Sequence, residues 1–187
     1  MRTFLTILIL AFLQITAFGQ EGLNTGILYG ENHAFSLTAP DGWVLDNQSG
    51  ASQGLHAVFY EHGQSWRDAT TVMYANTASL EDEAHKTLEE LIKYDLDKFK
   101  NNYSDIQITG SKDITTKEGV IAKLKYLSGK SYGNYEAIPY IYAGKTGVMI
   151  ILSSRAKDEF ENSLTAFESL AKSYLFMADT VILDNKE

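Results

Sequence analysis

Four histidines, His33, His56, His62 and His85, are the natural general bases and metal ligands of a chain that contains no cysteine. His56 and His62 lie at the two ends of HAVFYEH. If that run is a strand, they stand about 20 Å apart and cannot share a metal. Glu81 and His85 are spaced to meet on the surface of a helix. Two ligands with no third, and no HExxH pair, do not make a metal site. The carboxylates of Glu81-Asp82-Glu83 and Glu89-Glu90 stand where a helix start and a solvated helix face attract negative charge. Ser153-Ser154 lies at a strand end leading into Arg155, outside any GxSxG elbow. Gly144-Lys145-Thr146-Gly147 lacks the spacing of a phosphate loop and joins two strands, so it reads as a hairpin turn. No catalytic residue, metal ligand or cofactor follows from these groups.

Recognition chemistry is better represented. In SYGNYEAIPYIYAG, Ser131 to Gly144, Tyr132 and Tyr135 flank a Gly-Asn loop, while Tyr140 and Tyr142 alternate onto one strand face. Tyrosine offers a stiff apolar ring with a hydrogen-bonding tip. Trp66 and Arg67 stand together in the loop HGQSWRD, and Trp and Arg carry much of the energy of binding sites. The candidate binding residues are therefore Tyr132, Tyr135, Trp66 and Arg67.

The chain opens MRTFLTILILAFLQITAFGQ, with Arg2, an apolar run, and Ala17-Phe18-Gly19. These are the parts of a signal peptide, residues 1–19, cleaved after Gly19. The apolar run is shorter than the roughly 20 residues that span a bilayer, and Gln14 interrupts it. The expectation is an exported protein, periplasmic or secreted, with no stable membrane anchor after cleavage. Zero cysteines exclude disulfides and a lipid-modified cysteine. Lys and Arg total 16 against 24 Asp and Glu, a formal charge of −8 that becomes −9 without Arg2, and no basic stripe is present. That balance argues against nucleic acid and anionic membranes as partners.

The elements that must position these groups follow from periodicity. Residues 20–32 read as a flexible lead-in, with at most a short strand at Ile27 to Tyr29. Strands are expected at Ala34 to Ala39, Trp43 to Leu45, Leu55 to Glu61 and Thr70 to Ala75, forming an antiparallel meander. Ala39-Pro40-Asp41-Gly42 places proline second and glycine fourth in a turn. From Ser79, a capping serine and an acidic first turn introduce a long amphipathic helix ending near Asn101-Asn102. Further strands follow at Ile106 to Ser111 and Val120 to Leu127, then a hairpin of Tyr135 to Ala143 with Val148 to Leu152. VMIILSS is apolar on both faces and should be central. A closing helix is expected from Lys157 to Phe176, before a frayed acidic tail over 178–187. The fold class is α+β: an antiparallel β-sheet flanked by two main helices, in one domain over residues 33–177.

With that element order, the entry FSLTAPDGW and the closing FENSLTAFESLAKSY resemble the PsbP-like fold. It is shared by photosystem oxygen-evolving proteins, the Mog-type Ran-binding factor and bacterial envelope proteins of unassigned role. The resemblance implies that the Phe35–Trp43 corner is scaffold. It also implies a non-catalytic binding or accessory module, whose partner would be a protein or small ligand in the cell envelope. The alternative is a secreted hydrolase with a site assembled from dispersed residues.

Overall fold

The structure, a computed structural model, describes residues 24–30 and 32–181. Residues 1–23, which include the expected signal peptide, Glu31 and residues 182–187 lie outside the described residues. The chain forms β1 (Thr25–Gly30), β2 (His33–Thr38), β3 (Trp43–Asp46), β4 (Val58–Glu61), β5 (Thr71–Ser79), α1 (Leu88–Asn102), β6 (Gln107–Gly110), β7 (Ile114–Thr115), β8 (Ile121–Ser128), β9 (Tyr135–Ala143), β10 (Thr146–Ser154), α2 (Lys157–Lys172) and β11 (Leu175–Ala178). An antiparallel sheet runs β3-β4-β5-β10-β9-β8-β6, with β7 also pairing β8. A smaller sheet, β1-β2-β11, joins α2 over one face of the large one, and α1 packs on the other face.

As its two-sided apolar run requires, β10 is central: it pairs with β5 and β9 along its length, and every residue except Ser153 is buried. In β8, Ala122 and Leu124 point into the core while Ile121 and Lys123 face solvent, the alternation of a half-buried strand.

Four local expectations are corrected. The first long helix begins at Leu88, not Ser79, because Ser79 is the last residue of β5 and pairs with Thr146. Thr87 is its true N-cap: its hydroxyl accepts from Glu90 N, and the Glu90 carboxylate accepts from Thr87 N, a reciprocal capping box. The second helix stops at Lys172. The Ser173 hydroxyl donates to Leu170 O and accepts from Thr38 N, and the next residues leave to pair with β2 as β11. The lead-in over 20–32 contains β1, whose whole length pairs with β2. The turn at the opening corner is Pro40 to Trp43, closed by Trp43 N to Pro40 O at 3.0 Å, so Gly42 is third and its φ of +81° is the reason a glycine stands there. Phe35 and Trp43 are both buried in the core around α2, so the corner is scaffold.

Candidate functional site: a polar groove beside the first helix

The α1 face of the large sheet is only partly covered by its helix. Leu88, Leu91 and Ile92 pack on Ile138, Tyr140, Met149 and Ile151. Toward the β3-β4-β5 side, cover comes from two loops.

The first loop follows β3. The Asp46 carboxylate accepts from Gln48 N at 2.8 Å, Ser49 N at 2.9 Å, the Ser49 hydroxyl at 2.6 Å and the Tyr60 hydroxyl at 2.9 Å. Burial alone would raise its pKa, but these bonds together outweigh it and hold the group down at about 2. Asp46 is therefore an anionic pin for the loop. A Cβ on Gly50 would lie 2.5 Å from Val58 Cγ1 and 2.8 Å from Leu55 O, so the loop presses against β4.

The second loop, between β4 and β5, turns at Gly63 with φ +86°. Ser65 donates to Asp68 at 2.8 Å, and Ala69 N returns to Ser65 O at 2.9 Å. Trp66 stands edge-on to Tyr74 with ring centroids 6.0 Å apart. At the end of β10, Arg155 N donates to Thr70 O, and Arg155 Nη2 donates to Ala69 O at 3.1 Å. These bonds fix both loops before any ligand arrives.

Between them lies a groove of about 690 Å³ whose walls carry Trp66, Arg67 and Arg155, with Gln53, Asn134 and Ser153. No Asp, Glu, Lys or His is among its lining residues. The whole chain has three arginines, Arg2, Arg67 and Arg155, and two of them meet here. Neither is ion-paired among the described residues.

Beneath the floor, Glu136 lies opposite Ser153 in the strand register and is 4% exposed. Burial pushes its pKa up. The hydroxyls of Tyr132 and Ser153 offset part of that, and the Asp95 charge adds to the rise. Nearby, Tyr140 donates to Asp95 at 2.5 Å, and burial raises the pKa values of Tyr74, Tyr132 and Tyr140 alike.

Of the residues singled out in the sequence, Trp66 and Arg67 meet in the groove. Tyr132 lies beyond Glu136, packed edge-on against Phe99 and Tyr103 at centroid distances of 5.5 and 4.9 Å. Tyr135 is on the opposite face, 6.1 Å from the Phe160 ring, so the two tyrosines form no joint patch. Tyr140 is fully buried, whereas Tyr142 is 59% exposed. Glu81 pairs with Lys145 at 3.1 Å, while His85 is buried against Tyr94, and both lie in the β5–α1 connection, outside the helix. The sequence alone did not mark Arg155, Asn134 and Ser153 as binding residues; the scarcity of arginine was the signal that singles out the first of them.

No protein-family model matches the sequence, and no curated protein matches it. Among solved structures, the solution structure of cyanobacterial PsbP (CyanoP) from Synechocystis sp. PCC 6803 is similar over 87% of this chain and 99% of that one, with a TM-score of 0.52 at 16% identity. The chain has the PsbP-like fold. The Ran-binding protein Mog1p of Saccharomyces cerevisiae overlaps 81% of this chain and 93% of its own, with a TM-score of 0.47 at 12% identity. Among the described residues of this PsbP-like chain, no helix is long and apolar enough to cross a membrane, and no three His, Asp or Glu side chains are grouped to hold a metal ion.

Proposed function

We propose that the protein is an exported, non-catalytic binding module of the cell envelope, periplasmic or secreted, and that the groove beside the first helix is its ligand site. One observation carries the reading: in an acidic chain, two of three arginines converge on one preformed groove whose lining holds no carboxylate. Two guanidinium groups, one of them held on Ala69 O, and a tryptophan packed on Tyr74 are residues that supply binding energy, and loops already tied by hydrogen bonds lose little freedom when a ligand enters. The fold shared with CyanoP is compatible with this, and the leader-like first 19 residues support export. The hydrolase alternative is less favoured, because the groove's lining has serines but no histidine or carboxylate to activate one.

The test is native mass spectrometry of the protein recovered gently from its producing cells. The chain is expected to begin at Gln20 and to carry added mass from a partner or ligand, which Arg67→Glu removes. Equal added mass on both forms, or none on either, contradicts the groove as the site; a retained Met1 contradicts export.

A further inference from the structure

Resting on the groove as the binding site, we infer that its ligand is an acidic oligosaccharide, a chain of uronate-type sugars. The lining combines seven neutral hydrogen-bonding side chains, two arginines and one tryptophan with only two aliphatic residues, Ala69 and Val72. So polar a surface fits a ligand that is itself rich in hydroxyls, and it offers no apolar pocket for the anchoring side chains that peptides bring.

The hydrogen-bonding groups also match hydroxyls in both directions. Ser49 and Ser65 donate their protons to Asp46 and Asp68, at 2.6 and 2.8 Å, so toward a ligand they can only accept, Ser65 through the lone pair not taken by Asp68 N. Arg67 and Arg155 have donors alone, and the amides of Gln53 and Asn134 provide both. A sugar hydroxyl donates and accepts at once, and its pyranose ring has an apolar C–H face suited to an indole.

The arginines then specify the acid. A guanidinium binds a carboxylate through two parallel bonds, which a neutral sugar cannot reciprocate. Of the carboxylates in the two loops, Asp46 accepts from backbone and from Ser49, and Asp68 accepts from the Ser65 hydroxyl, while the Glu136 carboxyl beneath the floor is buried and bonded to Ser153. A volume of about 690 Å³ exceeds what a lone inorganic anion fills and suits a short run of sugar units.

The experiment is calorimetric titration of the mature protein with a tetramer of (1→4)-linked galacturonate, alongside the neutral galactose tetramer and tetraglutamate. Tryptophan fluorescence is followed in parallel. Only Trp43 and Trp66 are present, and Trp43 is buried in the core, so a change on binding reports Trp66. We expect the galacturonate tetramer to bind, Arg67→Gln to weaken it on the order of tenfold or more, and the neutral tetramer to bind far more weakly. Arg67 is exposed, so an unchanged melting temperature shows that the variant folds; Arg67→Lys, which keeps the charge without the fork, is expected to lose part of the affinity. Tetraglutamate binding as tightly, with the same Arg67 dependence, overturns the saccharide and leaves the groove as the site. Galacturonate binding unchanged by Arg67→Gln overturns both, and no binding of galacturonate overturns the saccharide.

Discussion

On the α2 face of the eight-stranded sheet, the core is apolar from Met73 and Ala75 on β5, through Ile150 and Leu152 on β10, to Phe160, Phe167 and Leu170 on the helix, and its buried hydroxyls, Thr71 and Ser154, bond to each other at the strand ends. On the α1 face, the apolar cluster reaches Ile138 and Ile151 and then gives way to Glu136, Ser153, Tyr74 and the arginine groove. One sheet thus has one face closed by a helix and a second small sheet, and one face whose helix stops short. Groups that cost stability when buried, a carboxyl and several hydroxyls, stand at the boundary of that second cover. With the groove as the proposed binding site, stability and binding would be divided between the faces, and each of the following changes tests the division.

The largest effect is expected from the closed face. Phe167→Ala should cost about 3–5 kcal/mol in urea unfolding, from lost burial and the cavity left behind. The remaining folded protein should keep its groove. A cost below about 1 kcal/mol would mean that this face is not the main source of stability.

Gly147 probes how closely α1 sits on the sheet. A Cβ there would lie 2.3 Å from Leu91 Cδ2, so Gly147→Ala must displace a buried leucine tip or the helix, at about 1–2 kcal/mol by denaturant titration. An unaffected midpoint would show that the helix rests more loosely on its face than the other side does.

Glu136 sharpens the comparison through pH. Because burial raises its folded-state pKa, the folded protein holds this proton at pH values where the unfolded chain has lost it. Its contribution is most favourable below the ordinary glutamate pKa of 4.5 and is lost as pH rises through the raised value. Glu136→Gln should therefore stabilise the protein more at pH 7 than at pH 4.5, read from paired melting curves. Equal effects at both pH values would show that the carboxyl is not desolvated in the fold.

The smallest stability effect belongs to the groove. Arg67→Gln should change unfolding by less than about 0.5 kcal/mol, as an exposed substitution away from the core does, while weakening ligand binding on the order of tenfold or more. A large loss of stability would make Arg67 a structural residue and erase the contrast between the faces.

How far each face was legible in the sequence follows the same division. The α2 face could be read from periodicity, because VMIILSS and the stripe of Phe160, Phe167 and Leu170 encode burial directly. The start of α1 was obscured because Ser79 and the acids after it imitate a helix cap, although the Thr87–Glu90 capping box was also in the sequence. β11 was hidden by apolar residues that continue the helical stripe; only pairing with β2, distant in sequence, makes them a strand. The groove was half legible. Trp66 and Arg67 adjoin in one loop, but Arg155 reaches them through the pairing of β5 with β10, a long-range contact that no local pattern announces.

Amide hydrogen exchange across both faces is the most direct measurement, made on the mature protein with and without a concentrated envelope extract of its producing cells. The account predicts added protection confined to residues 48–54, 64–70 and 133–134 around the groove, and lost in Arg67→Glu. Added protection centred on α2 or on the β1-β2-β11 sheet, with the groove loops unchanged, would contradict it.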